Sequence, residues 1–268
     1  MKKSRTAVIL CGGKGTRLGS IGKKTPKTLI KIQGKEILWY ILKILKKNKF
    51  NHVILPVGFK GNKIKNFIKK NKDLIPRVDL INTGIETNIG KRISMIRNSI
   101  ISSNFLLLNG DAIFDFDLNK MFVKHQKQKK DITFISSEIT YPYGTVGVRN
   151  NKVIDFKRNL VYEALRVRNK NDYIAYNYTG MSIINKKKIL IQNKKYANSK
   201  NFEMDFFPFF IKRYKSSLVK LSGFWHSVDN LKDISAINNK NSSKRKYLLL
   251  KKLKKILIKN DKKKILEK

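Results

Sequence analysis

Along the first part of the chain, short apolar runs alternate with longer stretches of helical spacing. "TAVILC" has the length and β-branched content of a buried strand, and glycines end it. "EILWYILKILKK" places Ile37, Tyr40, Ile41 and Ile44 on one side of a helix. "HVILPVGF" and "GNKIKNFIKKN" repeat the strand-then-helix pattern. "RVDLINTG" is a strand entering a loop, and "GKRISMIRNSII" is the helix after it. "NFLLLNGD" is a further apolar strand, closed by an aspartate. This β-loop-α alternation predicts an α/β fold built on a Rossmann-like, doubly wound, mostly parallel sheet.

The second part is richer in strands. "DITFISSE", "GTVGVRNNKVIDF", "YIAYNYTGMSIIN" and "SSLVKLSGFWHSVDN" all have strand character, with a hairpin turn expected at Asn150-Asn151. "EMDFFPFFIKRY" is partly helical, and Pro208 marks its start or a kink. No linker divides residues 1–237, which are expected to form one domain. Residues 238–268 begin as a polar linker and then alternate Leu/Ile with Lys. Leu249, Leu253, Ile256 and Leu257 can share one face of a basic amphipathic helix. Such a tail can touch an anionic membrane peripherally, bind a partner, or dock on its own domain.

The 268 residues include 60 Lys and Arg against 18 Asp and Glu, a formal charge of +42. A field of that sign attracts nucleic acid, acidic lipid and phosphorylated small molecules. The lysines, however, are spread along the whole chain rather than gathered in one stripe. No specific nucleic-acid partner is therefore expected. The single cysteine, Cys11, excludes an internal disulfide framework and fits a reducing compartment. The N-terminal apolar run of about six residues falls short of a signal-peptide core of about 7–15 residues. A cytoplasmic protein is expected.

The candidate chemistry begins at "VILCGGKGTRLG". It lacks the G-x-x-x-x-G-K-[ST] spacing of a P-loop, and Leu18 stands where a dinucleotide fingerprint needs its third glycine. Gly12, Gly13 and Gly15 still allow backbone N–H groups to approach a phosphate or base closely. Lys14, Thr16 and Arg17 add polar groups, and the Arg17 fork suits phosphate oxygens. Lys27, after Pro26, is a second phosphate cation. The loop follows a strand, where ligands bind in open α/β sheets. Asp111 ends another strand, a natural place for a Mg²⁺ ligand. Asp115 and Asp117 are read as caps of the following helix. Asp229 follows a later strand and is a metal ligand or a helix cap. His52, His125 and His226 have no metal-ligand spacing. Cys11 is read as packing beneath the loop, and no G-x-S-x-G elbow is present.

Together, "VILCGGKGTRL", "PKTLIKIQGKEIL" and "NGDAIFDFDL" resemble the sugar-1-phosphate nucleotidyltransferases, over nearly the whole chain to about residue 237. "KEILWYILKIL", "VGFKGNKIKNF", "INTGIETNIGKRI" and "GFWHSVDNLKD" are most similar to the branch that makes CDP-glucose from CTP and glucose 1-phosphate. The resemblance implies the mixed sheet of the nucleotide-diphospho-sugar transferases, with the basic helix appended. It implies that Gly12, Gly13, Gly15, Thr16 and Gly110 hold the nucleotide. Arg17 would neutralise the departing pyrophosphate and Lys27 would bridge phosphates, making these two with Asp111 the catalytic set. Asp111 and Asp229 would hold Mg²⁺. Thr83 to Arg92, including Gly90, would surround the base, and Gly144, Thr179 and Gly180 would line the sugar pocket.

One departure stands out. The family carries an E-K-P step after its mid-chain hairpin, where this chain reads "DFKRNLVYE". Lys157 or Arg158 would have to replace that lysine. A guanylyltransferase acting on a mannose- or heptose-type 1-phosphate is the alternative activity. A non-catalytic nucleotide-binding subunit and a charge-driven nucleic-acid binder are alternatives of other classes. A homo-oligomer is expected from the resemblance.

Overall fold

A computed structural model of the chain describes residues 4–168, 172–221 and 223–266. The alternating part comprises β1 (Thr6–Leu10), α1 (Gly19–Lys24), β2 (Lys31–Ile32), β3 (Lys35–Glu36), α2 (Ile37–Lys47), β4 (His52–Val57), α3 (Gly61–Lys70), β5 (Arg77–Asn82), α4 (Ile89–Ile96), β6 (Asn104–Asn109), β7 (Ala112–Phe114) and α5 (Leu118–Lys127). The strand-rich part follows with β8 (Ile132–Ser137), β9 (Ile139–Arg149), β10 (Lys152–Tyr162), β11 (Ala164–Val167), β12 (Tyr173–Tyr176) and β13 (Tyr178–Asn185). The chain continues through α6 (Lys186–Ile191), α7 (Asn193–Ala197), α8 (Phe207–Arg213), β14 (Ser216–Leu221), β15 (Trp225–Ser227), α9 (Leu231–Asn238) and α10 (Lys244–Leu266).

Seven strands form the central sheet in the order β14-β8-β13-β6-β1-β4-β5. Only β13 runs against the rest, since it pairs antiparallel with both β6 and β8 while the other pairings are parallel. Ala7 and Ile9 of β1 enter one core, and Val8 enters the other. The same alternation in β4 and β6 buries both faces of the sheet, which is why these strands read as continuous apolar runs. From β1 the chain winds to β4 and β5, then returns to β6 on the other flank of β1. The crevice at that reversal is the ligand position of open α/β sheets.

The hairpin expected at Asn150-Asn151 joins β9 to β10, with φ of 48° and 60° at the two residues. Two consecutive left-handed residues are what a tight two-residue turn requires, and asparagine tolerates them. The following insert forms β11 and β12, which pair with each other; residues 169–171 between them lie outside the described residues.

Two readings of the apolar pattern are revised. Every residue of α2 from Ile37 to Leu45 is buried, rather than one side of it. Several elements share its surface, among them β7, the turns at Lys27–Leu29 and Lys72–Leu74, and α10. Within α10 the buried stripe is Leu250, Leu253 and Leu257, whereas Leu249 and Ile256 are exposed. Leu253 and Leu257 of the expected face are buried as read, and Leu250 takes the place of Leu249 and Ile256. Anchors outside the helix set that choice: Lys254 Nζ donates to the Gln33 carbonyl at 2.6 Å, and Gln33 Nε2 donates to the Tyr247 carbonyl at 3.0 Å. The three leucines belong to the same core cluster as β1 and α2. Leu253→Ala is therefore expected to lower the unfolding free energy by about 2–5 kcal/mol in urea titration. A loss under about 0.5 kcal/mol would mean that α10 does not share this core. No described helix is long and apolar enough to cross a membrane.

Candidate active site

The loop after β1 leaves the sheet at the crevice. Gly15 takes the left-handed conformation, φ 62°, and opens a short 3₁₀ turn at Thr16–Leu18. A Cβ on Gly12 would lie 2.1 Å from the Arg92 guanidinium, which would have to leave its place to admit one. At Gly13 a Cβ would meet nothing within 4 Å, and its backbone faces open space. Beneath the loop Cys11 is buried, with Sγ donating to the Ile9 carbonyl at 2.9 Å. Burial pushes its thiol up to about 12, so it is inert packing, as read from the sequence.

The loop forms one wall of a cleft of about 630 Å³, a volume typical of small-molecule sites. Ile85 to Ile89 face it from the segment before α4, and Asn109, Gly110 and Asp111 form its floor. Lys14 and Glu86 form an ion pair between the two walls.

Asp111 and Asp229 meet although they are far apart in sequence. Strands β7 and β15 pair antiparallel with Ala112 opposite Ser227, and the Val228 amide donates to the Asp111 carbonyl at 2.9 Å. That ladder sets the two carboxylates side by side. Lys27, fixed in a 3₁₀ turn after Pro26, places Nζ 2.8 Å from Asp111 Oδ2 and 2.8 Å from Asp229 Oδ1. Burial disfavours the ammonium, but Asp111 and Asp229 outweigh it and hold the Lys27 pKa above its ordinary value. Burial likewise opposes the Asp229 charge, yet Lys27 and the more distant Arg17 hold its pKa below the usual carboxylate range. Arg17 Nη1 is 4.0 Å from Asp229 Oδ1 on a largely exposed side chain.

The helix-cap reading of Asp229 fails: α9 is capped by Asn230, whose box with Asp233 is complete. Asp117 does cap α5, accepting from the Lys120 amide at 3.0 Å. Asp115 does not, since it pairs with Lys47 at 3.5 Å. The three histidines have internal partners: His52 meets Thr6 and Asp79, His125 meets Thr133 and Asn104, and His226 meets the Asp233 carbonyl.

Arg92 is buried and reaches the cleft from behind. It donates to Thr83 Oγ1 and, at 3.1 Å, to the carbonyls of Gly12 and Ile85. Burial lowers its pKa, and its hydrogen-bond partners are all neutral. Several residues expected to touch ligand sit elsewhere. Thr83 is buried and turned to the Val57 carbonyl at 3.0 Å, supporting the wall rather than lining it. Gly90 lies against α7, where a Cβ would be 1.8 Å from the Tyr196 carbonyl oxygen. Helix packing therefore requires glycine there. The Thr179 hydroxyl donates to the Ile135 carbonyl at 2.8 Å inside the sheet. Gly144 is on the exposed β9–β10 ribbon under the Phe156 ring. Gly180, at φ 74°, does reach the site edge beside the Asn109 amide. Lys200 and Glu203, absent from the sequence reading, also reach this edge. Lys200 lines the cleft, and the Glu203 carboxyl is pushed up by burial and by Asp111 against the opposing influence of Asn109.

A glycine-walled cleft at the switch point, with two carboxylates gripping one lysine, has a matching family profile. The profile of the nucleotidyl transferase family covers residues 6–244. The chain belongs to that family. It is 27% identical over 252 residues to a probable glucose-1-phosphate cytidylyltransferase of Bacillus subtilis, covering 87% of this chain and 94% of that protein. It is 35% identical over 156 residues to a D-glycero-alpha-D-manno-heptose 1-phosphate guanylyltransferase of Aneurinibacillus thermoaerophilus, covering 56% of this chain and 66% of that one. Among solved structures, HddC from Yersinia pseudotuberculosis complexed with GMP-PN is similar with a TM-score of 0.64 at 22% identity, covering 88% and 99% of the two chains. That likeness establishes the family's fold for this chain.

Proposed function

We propose that the protein transfers a nucleotidyl group from a nucleoside triphosphate to a sugar 1-phosphate, and that CTP and glucose 1-phosphate are its substrates. The observation that carries this reading is Lys27 held at 2.8 Å by both Asp111 and Asp229, where Asp111 lines the cleft. A phosphate oxygen of the sugar 1-phosphate attacks the α-phosphorus and forms a new P–O bond. The bond from the α-phosphorus to the bridging oxygen breaks, and its electron pair leaves with pyrophosphate. The attacking oxygen is already anionic, so no side chain has to remove a proton. The protein's work is alignment and charge neutralisation.

Each cation has a place in that work. Arg17 extends on its exposed side chain to the departing pyrophosphate. Lys27, relieved of its carboxylates, turns to the oxygens at the transfer point. Arg92, whose partners are neutral, gives the cleft a buried positive charge that favours a polyanion. Asp111 and Asp229 suit a hard divalent ion: they converge from opposite chain segments, and no third His, Cys, Asp or Glu completes a protein cage among the described residues. Magnesium keeps several places for water and phosphate oxygens, so two carboxylates fit it. When bound, Mg²⁺ supplies charge neutralisation at the transferring phosphate.

The cytidylyl reading rests on the relative that is covered almost end to end. A second reading, guanylyl transfer to a heptose-type 1-phosphate, is favoured by the higher identity of the guanylyltransferase over its shorter span. One assay separates them. Pyrophosphate release is measured with four nucleoside triphosphates against a panel of sugar 1-phosphates, with Mg²⁺. CTP with glucose 1-phosphate is expected to be fastest. GTP with a heptose or mannose 1-phosphate as the fastest pair would establish the second reading, and silence from folded protein would overturn both.

A further inference from the structure

Between α7 and α8 the chain makes a π-turn at Phe202–Phe206. Such turns are rare, and they recur at functional sites because the wider coil redirects side chains. This one is held firmly. Phe202 and Phe206 are buried and stacked with centroids 5.0 Å apart. Asn201 caps the turn by accepting from the Met204 amide at 3.2 Å, and Asp205 accepts from Ser199 Oγ and from the Asn201 amide at 3.0 Å each. None of these contacts uses the side chains of Lys200 or Glu203.

Both side chains reach the catalytic edge. Lys200 lines the cleft with Asn109, Gly110 and Asp111, and its ammonium pairs with no carboxylate among the described residues. Glu203 follows three residues on, half-buried in the π-turn, where burial and the nearby Asp111 push its carboxyl up against the opposing influence of Asn109. Asn109 has room there because residue 180 is glycine: a Cβ would stand 2.6 Å from its Nδ2. The ends of β6 and β13 and the π-turn thus converge on one corner.

We infer that Lys200 and Glu203 form the acceptor end of the cleft, with Lys200 holding the phosphate of the sugar 1-phosphate and Glu203 its ring hydroxyls. This rests on the proposed reaction and names the residues that do the work of the absent E-K-P step. The chain has only 18 acidic residues, and one placed beside Asp111 repels phosphate. Lys27 and the proposed metal are already served by Asp111 and Asp229, which leaves this carboxylate for a group that donates hydrogen bonds, and the hydroxyls of a sugar donate where its phosphate cannot. Burial accentuates this preference, because a partly desolvated carboxylate gains most from such donors. Lys157 is engaged elsewhere, paired with Asp155 at 2.8 Å on the exposed ribbon, and Arg158 lies opposite Gly144 in the same ribbon.

The test compares wild type, Lys200→Met and Glu203→Gln in the pyrophosphate-release assay. In each variant KM for glucose 1-phosphate is expected to rise about tenfold or more, with KM for CTP and kcat within about threefold. Monodeoxy glucose 1-phosphates separate the two roles. Wild type and Lys200→Met should discriminate against one of them, and Glu203→Gln should discriminate less, because the amide oxygen that remains accepts without the charge that strengthens the bond. An unchanged acceptor KM in both variants, or an equal rise in KM for CTP, overturns the inference while leaving the reaction standing. Calorimetric binding of glucose 1-phosphate with α,β-methylene CTP present reads the role without turnover. Binding to wild type that both variants lose supports it even if no pyrophosphate is released, in which case only the proposed reaction falls. Equal binding by all three, or none by wild type, overturns it.

Discussion

Asp111→Asn is expected to abolish pyrophosphate release, by at least about a hundredfold in kcat/KM, while leaving the fold intact. The substitution keeps the shape of the side chain and removes its charge. What it removes is one of two carboxylates that grip Lys27 at 2.8 Å and that, in the proposed reaction, face the transferring phosphate. The fold should tolerate the change because Asp111 is partly exposed and Asp229 still holds the lysine. A partly exposed ion pair contributes about 1 kcal/mol or less. Steady-state kinetics with a parallel urea titration reads both quantities. A variant near the wild-type rate would remove Asp111 from the catalytic set. A variant that unfolds would instead assign it a structural role.

The two carboxylates also mark where local sequence reading stops. Asp111 is legible because it ends an apolar strand, and strand ends in an α/β sheet point to the ligand edge. The β1 loop is legible for the same reason, since glycine spacing is a local property. Asp229 is different. Its neighbourhood depends on the β7–β15 ladder, which joins segments more than a hundred residues apart, and no spacing rule reports such a pairing. Locally it reads as well as a cap, and only the resemblance raised it above that role.

Glycines carry the opposite ambiguity. Gly13 faces open space, whereas Gly90 is glycine because a Cβ would collide with the Tyr196 carbonyl. Packing against a helix and approach to a ligand call for the same residue. Thr83 illustrates a related limit: its hydroxyl has a backbone partner behind the wall, and strand direction decides that, not residue type. Glu203 was hidden by the π-turn, because five-residue hydrogen bonding shifts which side chains share a face, and Lys200 just before it has no local pattern that sets it apart from the chain's other lysines. In α10 Leu253 and Leu257 were legible from the period, while the choice of Leu250 over Leu249 and Ile256 at the stripe's edge follows contacts with Gln33 outside the helix.

Lys27→Met separates the two duties of the central cation. Catalysis should fall by about a hundredfold or more in kcat/KM, since in the proposed reaction the ammonium is the positive charge at the transfer point. Stability should fall as well, by about 1–3 kcal/mol, because two half-buried carboxylates then face each other without a counter-charge. The pH dependence follows from Asp229, whose pKa is held below its ordinary value mainly by Lys27 against the effect of burial. A depressed carboxylate contributes stability that is full above its unfolded pKa, near 4 by reference values, and lost as pH falls through the folded value. The gap between wild type and Lys27→Met should therefore be widest at neutral pH and should close in acid. Magnesium gives a further readout, because a ligand that binds only the native state raises stability by mass action. With the ammonium gone, Mg²⁺ should raise the melting temperature of the variant more than that of wild type, as the ion no longer competes with Lys27 for the carboxylates. Equal shifts in the two proteins would mean that Asp111 and Asp229 do not hold the metal, and a stability gap independent of pH would mean that Lys27 does not govern the charge of Asp229.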